Sequence, residues 1–371
     1  MKILIVDTYY PAFLRSFWHR HPELRGAPYA KQRRALLAQC FGTADYYSRN
    51  LRAVGQTAQD LVVNDAISQR TWAREHQVPV RTAGVYAWLQ SLPLLHRIIG
   101  RPAWVQEVVL AQIQTIKPDV LYVHDLSILN PETIRAARQW VTLVVGQTAS
   151  PLPAERNVKA FDLILTSFPH FVPRLRALGV NAEFLKIAFE PRVLERVGEE
   201  ERIYDVSFIG SFSPHHQAGT KLLEAVAAKH PIHIWGHGVR YLAPNSPLRR
   251  QYHGEAWGLD MYRVLGQSRI VLNRHISTAE HYANNMRLYE TTGMGAMLLT
   301  DTKKNLSELF RVGKEVVAYR SVTDLATKLR YYLDHERERS NIAQAGQRRT
   351  LREHTYAARM RELVPILEQY L

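Results

Sequence analysis

The chain has 371 residues, of which 46% are hydrophobic and 22% charged, with a net charge of +14 and a pI near 9.8. That composition excludes a disordered or fibrous protein and, at roughly 100–200 residues per domain, predicts two globular domains. Cys40 is the sole cysteine, which excludes an internal disulfide and a multi-thiolate zinc site and favours a reducing compartment. The basic balance predicts an anionic partner, whether nucleic acid, an anionic lipid surface or a phosphorylated small molecule, or else a generic basic surface.

The opening run Met1–Val6 is stopped by Asp7, too short for a signal-peptide core or a membrane span, and reads as a first β-strand. No later segment offers ~20 consecutive apolar residues, so no spanning helix is expected. Further strands are predicted at Asp60–Val63, Val120–His124, Val141–Gly146, Asp162–Thr166 and Glu183–Lys186. Helical patterns separate them, as in Pro131–Trp140, entered through Asn130 as cap with Pro131 at the first position. Strand and helix alternating in this way predict parallel sheets.

Residues 191–204 are charged, contain a glycine and separate this series from a second one, so they are expected to form a linker. The second series predicts strands at Asp205–Ile209, Ile232–Trp235, Ile270–Asn273, Ala296–Leu299 and Glu315–Ala318, followed by a helical tail from Val322. The domains are therefore expected at 1–190 and 205–350, with a last helix over 351–371. In doubly wound sheets ligands lie beyond the carboxyl ends of the strands, and that rule selects the loops to read.

In the first half these are Asp7-Thr8-Tyr9-Tyr10 and His124-Asp125. Asp125 also suits a cap for the turn that follows. Phe13–Arg20 mixes aromatics with cations near Arg25, Lys31, Arg33 and Arg34; it suits an anionic bilayer, a phosphorylated acceptor or a solvated helix face. In the second half, Gly210 allows a close backbone approach, and Ser211, Ser213, His215 and His216 can donate to phosphate, while Ser213 equally suits a helix cap. Trp235-Gly236-His237-Gly238 offers an aromatic face for a base but no dinucleotide fingerprint, since Tyr241 stands where the last glycine would be. Asn273 and His275 follow another strand and can touch a phosphate or a sugar.

Asn284–Ala296 is the most informative stretch: a helix capped by Asn, ended by glycines and followed at once by a strand. Free backbone N–H groups around Asn285 and Met286, the helix dipole and Arg287 make a seat for a diphosphate, and Glu290 can accept from both hydroxyls of a ribose. A plain intrahelical Arg287–Glu290 ion pair fits the same spacing.

From Asp205 to Thr355 the chain resembles the C-terminal domain of CgeB-like, spore-maturation-type glycosyltransferases. The residues that carry the likeness are Tyr204–Ser211, Ser268–Asn273, Asn284–Gly295, Leu299–Asp301, Leu309-Phe310, Gly313–Val316, Tyr319, Ala343–Gln347 and His354–Tyr356. Phe41–Asp45 and Trp72–His76 give a weaker likeness to the acceptor domains of the same group. The resemblance implies the GT-B fold, two Rossmann-like domains facing across a cleft. It places a nucleotide-diphosphate sugar on the second domain and an unknown hydroxyl acceptor on the first, in a cytoplasmic enzyme without a metal or other cofactor. The sequence contains no Asp-x-Asp metal motif. Glu290 matches the second glutamate of a pair used by many retaining enzymes, but Tyr282 stands at the first position, so inversion and retention both remain open. An inverting enzyme needs a base, a role that suits His124 or Asp125. The alternatives are a GT-B-shaped epimerase, a non-catalytic sugar-nucleotide binder and, from charge alone, a nucleic-acid-binding protein, against which stands the lack of any nucleic-acid-binding motif.

Overall fold

The computed structural model describes residues 1–80, 103–213 and 217–371, and these divide into two compact units. The first unit comprises Met1–Thr166, His170–Leu185 and Met360–Leu371. Its six-stranded sheet consists of β1 (Lys2–Asp7), β2 (Thr57–Val62), β3 (Val120–Val123), β4 (Leu143–Thr148), β5 (Leu163–Thr166) and β6 (Asn181–Phe184), in the order β2-β1-β3-β4-β5-β6. Every pairing is parallel. Parallel sheets are covered on both faces, which is why Ile3–Val6, Val120–Val123 and Leu163–Leu165 are apolar without a break and fully buried.

Two strands of this sheet start earlier than their sequence patterns suggested. Asp60 lies in the middle of β2 opposite Ile5, and Asn181 opens β6 opposite Leu163. Pairing with the neighbouring strand sets these ends, and it carries polar residues that a hydrophobic pattern leaves out. Burial pushes the Asp60 carboxyl up to about 7. Asn130 caps the helix Pro131–Ala137 by accepting from the Thr133 N–H at 2.7 Å.

The second unit comprises Ser167–Pro169 and Lys186–Arg359. Its sheet runs β11-β10-β9-β7-β8, built from β7 (Tyr204–Ile209), β8 (His233–Trp235), β9 (Ser268–Leu272), β10 (Met297–Asp301) and β11 (Val317–Tyr319). All of these are parallel too, over a core that includes Val206, Ile234, Ile270, Leu299, Leu325 and Leu329. The chain therefore consists of two Rossmann-like α/β units, as the alternating pattern predicts.

The division differs in detail from the expected linker. Residues 191–204 contain the helix Arg192–Val197 and lie inside the second unit, which begins at Lys186. Their charge marks a solvated surface, and Arg202 has a structural task there. Its guanidinium donates to the carbonyls of Leu265, Ser268, Met294 and Gly295 at 2.8–3.1 Å, closing the ends of the helices Leu259–Gly266 and Met286–Gly293. At the other end of the chain the helix Tyr356–Tyr370 passes from the second unit to the first, and the Tyr370 hydroxyl donates to Glu183 at 3.0 Å. Among the described residues no helix is long and apolar enough to cross a membrane.

The loops after β7 and β8 touch backbone to backbone: Gly210 N–H donates to Trp235 O at 3.0 Å and Phe212 N–H to His237 O at 2.8 Å. A Cβ on Gly236, at φ +151°, would overlap the Gly210 carbonyl oxygen, whereas one on Gly198, at φ +80°, would meet open space. Gly198→Ala therefore carries backbone strain alone, about 1 kcal/mol, while Gly236→Ala adds a backbone clash and should cost at least about 2 kcal/mol. Urea unfolding of the two variants beside the parent protein checks the difference.

Candidate functional site

The carboxyl ends of β9 and β10 converge on the start of the helix Met286–Gly293. Asn285 caps that helix, its side-chain oxygen accepting from the Leu288 N–H at 3.3 Å. The Asn285 amide in turn donates to Asn273 Oδ1 at 2.9 Å, and Asn273 Nδ2 donates to Asn285 Oδ1 at 3.3 Å and to Thr300 Oγ1 at 3.0 Å. The Tyr319 hydroxyl donates to the Asn273 carbonyl at 3.0 Å. Asn273 thus joins three strand ends to the helix cap, at a helix start whose first-turn N–H groups have no intrahelical acceptor and are able to meet an anion.

His275, its side chain fully buried, is hydrogen-bonded to Asp301: the ring Nδ1 lies 2.7 Å from Oδ1, and the His275 backbone N–H donates to the same oxygen at 3.0 Å. The second ring nitrogen, Nε2, is enclosed without a partner. Burial alone would raise the Asp301 carboxyl, but the His275 contacts, with Lys303 3.4 Å away, hold it at about 2. Thr300 and Asp301 entered the sequence reading only among the residues that carry the family likeness; their role as partners of Asn273 and His275 arises from the pairing of β9 with β10.

Arg287 and Glu290 do form the intrahelical ion pair, at 2.9 Å, and both are largely buried. The Tyr262 hydroxyl lies 3.5 Å from the carboxylate. Burial raises the Glu290 pKa, opposed by Arg287 and Tyr262. An ion pair withdrawn from water costs desolvation of both charges, which offsets much of its attraction.

Around the glycine loop the structure departs from the reading of the residues. Gly210 makes room for the Phe208 ring, and Gly236 and Gly238 make room for the backbone of Gly210 and Phe212. Ser211 and Ser213 lie in the same loop, and His215 and His216 fall outside the described residues. The Trp235 ring is buried, stacked on His253 at 4.5 Å and edge-on to Tyr204 at 4.9 Å, so its face is already covered. A cation does reach the helix that follows this loop, from a different strand. Arg274, directly after β9, lays its guanidinium against Gly219 of the helix Gln217–Ala227, where a Cβ would collide with it. Among the described residues it has no carboxylate partner. The only sequence signal for it was its place between Asn273 and His275.

In the first unit, His124 and Asp125 follow β3. Asp125 accepts from the Ser127 N–H at 2.9 Å and lies 3.5 Å from the Thr8 hydroxyl, the geometry of a turn cap. His124 packs edge-on against Tyr47 and Tyr122, with Nε2 enclosed and unpartnered. Burial lowers its pKa, opposed by Asp7, so the imidazole stays neutral with a lone pair. The aromatics of Phe13–Arg20 face inward: Phe13, Phe17 and Trp18 are buried, leaving Arg15, His19 and Arg20 outside.

Because the Asp301 carboxyl is depressed from 3.8 to about 2, its contribution to stability is complete above pH ~4 and is lost as pH falls through about 2. That contribution is on the order of 2 kcal/mol. Asp301→Asn should flatten the stability profile of the protein between pH ~4 and ~2, measured by urea unfolding across that range.

Residues 217–365 match the glycosyl transferase-like family. No curated protein matches the chain in sequence. Among solved structures, HepE of Anabaena in complex with UDP and glucose superposes with a TM-score of 0.60 at 13% identity over 100% of both chains. Sucrose-phosphate synthase of Thermosynechococcus elongatus gives 0.60 at 10% identity, over 100% of this chain and 98% of that one. A glycosyltransferase of Rickettsia africae gives 0.57 at 11% identity, again over 100% and 98%. Residues 217–365 are therefore glycosyl transferase-like in sequence, and the whole chain has the GT-B fold.

Proposed function

We propose that the protein transfers a sugar from a nucleoside-diphosphate sugar, of the UDP type bound by HepE, to an acceptor hydroxyl, without a metal, as a member of the CgeB-like group. The observation that carries this reading is the convergence of the capped helix start at Asn285, the Arg287–Glu290 pair and the uncompensated Arg274 at the carboxyl ends of β9 and β10. A diphosphate needs backbone N–H donors and cations, and both are present there. Arg274 takes the phosphate-binding task that sequence reading gave to His215, with the advantage of a permanent charge. Glu290 receives the ribose hydroxyls, held in place by Arg287 and Tyr262.

The first unit binds the acceptor, and His124 with Asp125 supplies the base. A neutral, buried imidazole is the form able to accept a proton, and Asp125 is fixed by its own turn. The enzyme works in the cytoplasm, where the outward face of the helix Pro11–Arg20, Arg15 included, suits contact with an anionic membrane face.

Calorimetric titration with UDP tests the donor site. A hydrogen-bonded charge is worth ~1.5–3 kcal/mol, so Arg274→Ala should weaken UDP binding about 10–100-fold while leaving uridine affinity unchanged. Glu290→Gln should weaken UDP and uridine alike, because it meets the ribose. No binding of any nucleoside diphosphate by the parent protein would overturn the reading.

Single-turnover assays test the base. His124→Ala or Asp125→Asn should lower the rate about 100-fold if that residue takes the proton, with UDP affinity unchanged. Parent-like rates for both variants would remove the pair from the mechanism. A product with altered sugar configuration, formed without any acceptor, would identify an epimerase instead.

A further inference from the structure

The first unit carries a groove of about 720 Å3, lined by Pro11, Arg15, Trp18, Arg25, Asn64 and Asp65 among others. It lies at the carboxyl ends of two adjacent strands: Pro11 opens the helix after β1, and Asn64 and Asp65 follow β2. This is where doubly wound sheets hold ligands, and the volume lies within the range of small-molecule sites.

The floor is built rather than incidental. Asn64 grips the backbone of Tyr9 in both directions, accepting from its N–H at 2.9 Å and donating to its carbonyl at 2.7 Å, which ties the two strand ends together. Asp65, buried, accepts from the Trp18 indole N–H at 2.8 Å and keeps its second carboxylate oxygen enclosed and unpartnered.

The wall carries an excess of positive charge. Arg15 and Arg25 are exposed, and among the described residues neither guanidinium has an ion-pair or hydrogen-bond partner. His19 lines the same groove, and the nearby Glu23 is already engaged by His21 at 3.4 Å. Guanidinium groups left uncompensated around a concave, built floor suit the planar oxygens of phosphate or carboxylate, which they grip through paired N–H donors.

We propose that this groove is the acceptor site, and that the acceptor carries a phosphate or carboxylate group gripped by Arg15 and Arg25. The identification of the occupant as an acceptor rests on the transferase reading; the anion specificity of the groove does not. The same chemistry is presented by a free phosphorylated sugar and by the headgroup of an anionic lipid.

The test uses the full chain and a double variant, Arg15→Gln with Arg25→Gln, whose exposed side chains can be replaced without disturbing the fold; an unchanged thermal midpoint confirms this. Glucose 6-phosphate and glucose are titrated against both proteins, and sedimentation with phosphatidylglycerol or phosphatidylcholine vesicles forms a second arm. Glucose 6-phosphate is expected to bind the parent at least 10-fold more tightly than glucose, with the preference lost in the double variant. Retention on phosphatidylglycerol vesicles alone, lost in the same variant, supports the site and assigns its phosphate to a lipid. No anion preference in either arm, or a preference that survives both substitutions, overturns the proposal. UDP is titrated on the same parent preparation: absence of UDP binding there counts against the donor site, while the anion arms decide the groove separately.

Discussion

Asn273 is the side chain on which the candidate donor site depends. It is buried where β9 ends, and its amide bonds at once to the helix cap Asn285 and to Thr300 on β10, while Tyr319 from β11 holds its carbonyl. A buried amide left without its partners costs about 1–3 kcal/mol, so such a network is stable only when all members are in place. The result is a helix start fixed relative to three strand ends. An anion seat made of backbone N–H groups has no side chain to adjust, so its position must be set by the elements around it.

The same economy governs the charges nearby. Arg287 and Glu290 are withdrawn from water, and a pair of that kind adds little stability because desolvation offsets the attraction. Asp301 stays ionised in a largely buried place because His275 bonds to it twice. Arg274, by contrast, has no counter-charge among the described residues, and it lies against the helix that follows the glycine loop. Beside the paired Arg287 and Asp301, it is the cation of this region that the described residues do not neutralise.

The first unit follows a different pattern. Its polar groups at strand ends are mostly occupied by the protein itself: Asp125 caps a turn, Asn64 clamps Tyr9, and Asp65 holds Trp18. What remains open is the concave surface above them and the cations along its edge. A rigid floor under an adaptable charged rim suits recognition of one class of group without a close fit to one molecule.

Much of the fold was legible in the sequence, because burial on both faces of a parallel sheet leaves unbroken apolar runs such as Ile3–Val6 and Ile270–Leu272, and because caps such as Asn130 and Asn285 act through neighbours a few residues away. Local signals of this kind survive in one dimension. Strand ends did not: β2 takes in residues 57–59 because β1 pairs with them, whatever their polarity. Nor did the contents of the site. Trp235 looked like a free aromatic face until His253 and Tyr204 covered it, and the glycines beside it serve a backbone contact between two loops. The pairing of His275 with Asp301, the clasp of Asn273 and Asn285, and the reach of Arg274 to Gly219 all join separate elements of the chain. Such contacts are decided by the order of strands in the sheet. The sequence by itself determined which residues could form strands, caps and charges; only the tertiary structure decided which of those charges would be cancelled and which left open, because cancellation depends on what lies within a few ångströms in space.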